Sequence, residues 1–141
     1  MSSGEVVQGP TAAHSPVILL VEDEVLLRFS TAELLRDEGY TVIEAADASE
    51  AVDLLTSGHP FHLVLTDVRM PGEMDGVALS HAAKKLRPYL PVALLSSHLP
   101  GDATHAGDRF LAKPYSSLEL FELVRALVGP EWLSRVNRTA S

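Results

Sequence analysis

Five short apolar runs, separated by segments of different period, constrain this chain more than any other feature. "VILLV" spans Val17 to Val21, "YTVIEA" ends at Ala45, "HLVLTD" at Asp67, "PVALLS" at Ser96 and "DRFLAK" at Lys113. A short continuous apolar run bounded by turn residues is the mark of a strand buried on both faces. Helical patterns fill the gaps. From Glu24 to Glu38, Leu27, Ala32, Leu34 and Leu35 recur close to a helical repeat, and Gly39 supplies a stop. "DASEAVDLLTSG" opens on Asp47 or Ser49 as N-cap and closes at Gly58. "DGVALSHAAKKLRP" ends before Pro88, and "SSLELFELVRALVG" starts at Ser116 or Ser117 and stops at Gly129 and Pro130. This alternation predicts an α/β fold: a doubly wound five-stranded parallel sheet with helices on both faces and right-handed crossovers. Ligands of such a sheet bind at the carboxyl ends of the strands, near the point where the strand order reverses.

Length and composition narrow the function. With 141 residues the chain holds one domain. We expect a loose N-terminal arm over 1–15, the domain over 16–129 and a C-terminal tail over 130–141. No residues are then left for a separate output domain. A net charge of −8 argues against a general nucleic-acid binder and suits a protein that meets cations or basic surfaces. The absence of cysteine excludes disulfides, zinc-thiolate sites and cysteine nucleophiles. None of the histidines lies in an HExxH spacing, and no Gly-rich phosphate loop is present. No apolar run reaches membrane-spanning length, and the N-terminus lacks the basic and apolar regions of a signal peptide, so the cytoplasm is the expected location.

The ends of the runs carry the chemistry. Run one ends in Glu22, Asp23 and Glu24, run three in Asp67, run four in Ser96 and Ser97, and run five in Lys113 followed by Pro114. A parallel sheet brings all of these to one edge. Clustered carboxylates stay ionised only beside cations. Oxygen donors with room for water suit Mg²⁺, which favours phosphate as a further ligand. Lysine offers a point charge to a phosphoryl oxygen, and a serine hydroxyl donates to another. Asp67 is a plausible nucleophile, because carboxylates form acyl phosphates. Taken singly, each residue reads as a solvated acid, a helix start or a surface lysine; the ordered set is what points to a site.

"ILLVEDE", "LVLTDVRMPG", "VALLSS" and "FLAKPY" resemble the receiver domain of two-component response regulators, over about Pro16 to Gly129. The resemblance implies a flavodoxin-like strand order, 2-1-3-4-5. It also implies a phosphoacceptor at Asp67 that is loaded by a histidine kinase or a phosphotransfer protein. Glu22 and Asp23 would be the acidic pair for Mg²⁺, with Asp23 the direct ligand, Glu22 acting through water and Arg69 offering its backbone carbonyl. Ser96 would be the switch hydroxyl, Lys113 the phosphate-binding lysine and Phe110 the aromatic that turns inward. The Lys113–Pro114 bond would be cis. The output would be a change in binding to an unknown downstream protein by a monomer or weak dimer, with no direct role for nucleic acid or membrane.

Two stretches depart from the family pattern. "MPGEMDG" carries one residue more than the usual turn, and Glu73 is that residue. Between the fourth and fifth runs only Ser97 to Asp108 remain, with Pro100, Gly101 and Gly107 among them, so the helix usual there is expected to be reduced to a turn or two, or lost. Two rival functions stand beside the switch. One is an aspartate-nucleophile phosphatase, which needs an acid two residues after the nucleophile, where this chain has Arg69. The other is a receiver fold that binds partners without taking phosphate.

Overall fold

The five apolar runs form the strands of one sheet. The structure, a computed structural model, describes residues 15–96 and 108–129. Along the chain lie β1 (Val17–Val21), α1 (Val25–Asp37), β2 (Thr41–Ala45), α2 (Ala48–Thr56), β3 (Leu63–Asp67), α3 (Gly76–Leu86), β4 (Val92–Ser96), β5 (Arg109–Ala112) and α4 (Ser117–Val128). The strand order is β2-β1-β3-β4-β5, and every pairing is parallel. This is the doubly wound parallel sheet expected from the alternation, in the flavodoxin-like order that the resemblance implies. Among the described residues there are four helices. The expected arm over 1–15, the expected tail over 130–141 and the expected loss or shortening of a helix over 97–108 lie, apart from Ser15 and Asp108, outside the described residues.

Side-chain alternation along each strand builds two core layers. Ile18 and Leu20 of β1 join Leu63 and Leu65 of β3 on one face, under Ala32 and Leu35 of α1 and Leu120, Leu123 and Val124 of α4. Leu19 and Val21 join Val64 and Val92 on the other, under Ala48, Ala51 and Leu55 of α2 and Leu79 and Ala83 of α3. The central strands are therefore buried on both sides, which is why their sequences do not alternate with polar residues.

The helix starts are set by local chemistry. Asp47 accepts from the Glu50 N–H at 2.8 Å and Asp75 from the Ala78 N–H at 2.9 Å. Ser116 and Glu119 form a reciprocal capping box ahead of α4. Helix α1 differs: Glu24 stands at its N-cap with no side-chain cap bond. Its buried stripe is Thr31, Ala32 and Leu35, while Leu34 lies 39% exposed. The leucine was counted in the apolar stripe by its type, but a period of 3.6 places residue 31, not residue 34, beside Ala32 and Leu35.

Candidate functional site

The carboxyl edge of the sheet gathers the acids. Strand β1 delivers Glu22 and Asp23, and β3, its neighbour, ends on Asp67. One carboxylate oxygen from each of the three lies within 4.8 Å of the others. Glu22 is buried, Asp67 is half-buried and Asp23 is exposed. Burial pushes the Glu22 carboxyl above its ordinary value; the Glu24 N–H and the Lys113 charge pull it back in part, and the Asp67 charge adds to the rise. The Glu24 N–H reaches Glu22 Oε2 at 3.1 Å.

Lys113, just past β5, closes the site. Its ammonium donates to Asp67 Oδ1 at 3.1 Å and stands 3.5 Å from Glu22 Oε1. Burial draws its pKa down, but the hydrogen bond and charge of Asp67, with the charge of Glu22, outweigh burial, so it stands above the ordinary lysine value. The lysine is thus held as a cation. Its own N–H donates to the Ser96 carbonyl at 2.9 Å, which ties the end of β5 to the end of β4. Ser96 is buried at that edge, and the Lys113–Pro114 peptide bond is cis. Tyr115 follows, half-buried, with its phenol pushed up by burial and held back in part by a hydrogen bond with Thr31.

Arg69 is exposed, two residues beyond Asp67, and Phe110 on the edge strand β5 is 38% exposed. Glu73 is not part of the three-acid group; it lines a cleft of about 540 Å³ with Asp47, Val52, Asp53, Pro71 and Met74, beside the start of α2.

Two residues that the sequence reading passed over shape the site. Gly76, the first residue of α3, donates its N–H to the Val68 carbonyl at 2.8 Å. A Cβ there would run into the Asp67 carbonyl and come within 2.8 Å of Val68 Cα, so only glycine lets the helix start this close to the strand end. The signal in sequence was a "DG" pair read as a plain helix start. Arg28 of α1 donates to the Glu22 carbonyl at 2.7 Å and pairs with Glu44 of β2 at 3.2 Å. Nothing in the sequence sets this arginine apart from a surface cation.

Fold and site together define a doubly wound α/β domain with an acidic cluster, contacted by a lysine, at the edge where such sheets bind their ligands. The chain belongs to the response regulator receiver domain family, whose model matches residues 18–125. It is 38% identical over 130 residues to the transcriptional regulatory protein PdtaR of Mycobacterium tuberculosis, covering 86% of this chain and 62% of that protein. The chain thus spans less than two thirds of that relative's length. It is 35% identical over 123 residues to the sensor kinase CckA of Brucella abortus, covering 81% of this chain but 13% of the kinase. Among solved structures, the receiver domain of the hybrid histidine kinase CckA superposes with a TM-score of 0.69 at 36% identity, covering 80% of this chain and 99% of that one. The response regulator TrrA of Thermotoga maritima, solved in complex with Mg²⁺–BeF, superposes with a TM-score of 0.74 at 30% identity, covering 79% and 98%. Receiver domains are signalling domains of two-component systems. Among the described residues, no helix is long and apolar enough to cross a membrane.

Proposed function

We propose that this chain is a phosphoacceptor switch in which Asp67 takes a phosphoryl group from a histidine kinase or a phosphotransfer protein. The observation that carries the reading is the Lys113 ammonium, 3.1 Å from Asp67 Oδ1 at the mouth of a three-acid cluster. A structural ion pair would not need two further acids beside it, since each adds repulsion that must be offset.

The donor set is all hard oxygen, which fits Mg²⁺ rather than a softer metal. Glu22, Asp23, Asp67 and the Arg69 carbonyl would hold it. When bound, Mg²⁺ supplies neutralising charge for the acceptor and the phosphoryl oxygens. The Mg²⁺–BeF complex of the related TrrA supports this assignment.

In the transfer step an Asp67 carboxylate oxygen attacks the phosphorus in line. The P–O bond forms as the P–N bond to the donor histidine breaks, and the released imidazole nitrogen keeps the electron pair and takes a proton from water. Lys113 holds Asp67 oriented and stays beside it to meet the anionic group. Ser96 supplies a hydroxyl to a phosphoryl oxygen, and its shift releases Phe110 to repack on β5, so the modified and unmodified forms present different surfaces to a downstream protein. Phe110 has no hydroxyl to hydrogen-bond, so its two states differ by packing. The domain acts on its own acyl phosphate and not as an enzyme on a separate substrate. We place the domain at 16–129, in the cytoplasm, as a monomer or weak dimer.

Incubation with acetyl phosphate and Mg²⁺, followed by intact-mass measurement, tests the reading. A base-labile phosphoryl adduct that needs Mg²⁺ and disappears in Asp67→Asn supports it. No adduct with any small phosphodonor favours a receiver fold that binds partners without phosphate. Steady hydrolysis of phosphate esters favours the phosphatase.

A further inference from the structure

Between the acidic turn and the far edge of the sheet runs a chain of charged contacts that the phosphoacceptor reading does not use. Arg28 sits one turn into α1 with its side chain 17% exposed. One arm of its guanidinium donates to the main-chain carbonyl of Glu22 at 2.7 Å. Another nitrogen, Nε, pairs with Glu44 Oε1 at 3.2 Å. The second oxygen of Glu44 is held by Arg36 Nη2 at 3.1 Å, and that nitrogen also donates to the Val42 carbonyl at 2.8 Å. Arg28 is therefore fixed from behind by β2 and directed at the turn that carries Glu22 and Asp23.

The other bonds of that turn join its own residues or the strand behind it: the Glu24 N–H donates to Glu22 Oε2 at 3.1 Å and the Arg28 N–H to the Glu24 carbonyl at 2.9 Å. Glu24 gives α1 no side-chain cap, and Asp23 is exposed. The Glu22 N–H is tied to the Ala45 carbonyl at 3.1 Å, which fixes where β1 ends, while Arg28 is the side chain that holds the Glu22 carbonyl beyond it. The Glu22 carbonyl belongs to the peptide plane that leads directly into Asp23. Its orientation fixes the backbone from which the Asp23 side chain leaves.

We propose that Arg28 is a positioning residue for the metal site: by clamping the Glu22 carbonyl against Glu44, it presents Asp23 and Glu22 to the cation. The inference rests on the reading of the three acids as a Mg²⁺ site. The role suits arginine, whose planar fork donates in two directions at once. A lysine at this position has one ammonium and cannot span both acceptors in the same geometry.

The sign of one effect separates positioning from charge. Arg28 is a cation near the acids, so through charge alone its removal makes the site more negative and binds Mg²⁺ more tightly. Through positioning, its removal loosens the turn and binds Mg²⁺ more weakly. The experiment is a calorimetric titration of Mg²⁺ into the full chain and into Arg28→Lys, Arg28→Met and Glu44→Ala, each checked for folding by urea denaturation. Weakening of about tenfold in both Arg28 variants is expected, the order seen when groups that orient metal ligands are lost. Glu44→Ala, which leaves the clamp without its rear anchor, is expected to weaken binding by a smaller factor.

Arg28→Lys with unchanged Mg²⁺ affinity but lower stability overturns the proposal, because the arginine is then structural. Tighter binding in Arg28→Met overturns it in favour of charge. Failure of the unmodified protein to bind Mg²⁺ overturns the metal reading itself, and the inference with it. That outcome is distinct from a loss confined to the variants.

Discussion

Replacing Gly76 by alanine should destabilise this protein, although helix propensity alone says the reverse. In an ordinary helix alanine is favoured over glycine by about 0.5–1 kcal/mol. Here the added methyl would overlap the Asp67 carbonyl and stand 2.8 Å from Val68 Cα. Both neighbours are backbone, so no side chain can swing aside. Relief requires α3 to move off the end of β3, which strains the 2.8 Å bond from the Gly76 N–H to the Val68 carbonyl and opens the core layer under Leu79 and Ala83. Overpacking of this kind costs about 1–3 kcal/mol, and the rigid partners put the net loss near ~2 kcal/mol after the propensity gain. For a domain of this size that is a fall in Tm on the order of 5–10 °C. Thermal unfolding by circular dichroism, paired with urea midpoints, reads it directly. Because the displaced carbonyl belongs to Asp67, Mg²⁺ affinity should fall as well. Gly72→Ala is the control: it meets no atom within 4 Å, but its φ of +103° is unfavourable for a side chain, so it should lose stability by roughly 1 kcal/mol through backbone strain alone. A Gly76→Ala protein as stable as the parent, or more so, would refute the close approach.

Glu22 gives a pH signature. Its pKa is raised chiefly by burial, so between the ordinary value and the raised one the folded state binds more protons than the unfolded chain. Stability of the metal-free protein should therefore fall as pH climbs above about 4.5, and Glu22→Gln should remove that part of the slope and be the more stable form at neutral pH; an unchanged slope in the variant contradicts this. Lys113→Ala leaves Glu22 and Asp67 facing each other without their shared cation, and should cost about 1–3 kcal/mol in the metal-free protein. Millimolar Mg²⁺ should return most of that loss in a urea titration, and no return would show that the three acids do not hold the ion. Ser116→Ala removes one half of the capping box on α4 and should cost ~1 kcal/mol with no effect on Mg²⁺ binding.

The parts of this molecule that were legible in sequence are those in which one residue does one thing. A strand that ends on Asp67, or just before Lys113, announces its position by the break in an apolar run, and the parallel order then places both on one edge. The caps were readable to within two candidates each, Asp47 or Ser49 and Ser116 or Ser117, because a cap is a local bond, and the structure selects Asp47 and Ser116. The parts that were hidden depend on what the chain meets across the fold. Arg28 looks like any helical cation until Glu44 and the Glu22 carbonyl are seen to converge on it from another strand and from the preceding turn. Gly76 was read as a helix start because the obstacle to a side chain there is the carbonyl of residue 67, nine positions earlier. Leu34 belongs by residue type to the apolar repeat of its helix, whereas the helix buries Thr31. Glu73, the extra residue of the turn, is not one of the three clustered acids and lines the cleft beside α2, so residue type alone could not separate it from the site acids.

The central claim is that Asp67 is the residue that accepts phosphate. The most direct measurement is to phosphorylate the protein with acetyl phosphate and Mg²⁺, trap the acyl phosphate by borohydride reduction, and map the reduced residue by peptide mass spectrometry. The account predicts that the reduced residue is Asp67 alone, and that omitting Mg²⁺ abolishes the label. A label on Glu22, Asp23 or any other acid, with Asp67 unmodified, would contradict it.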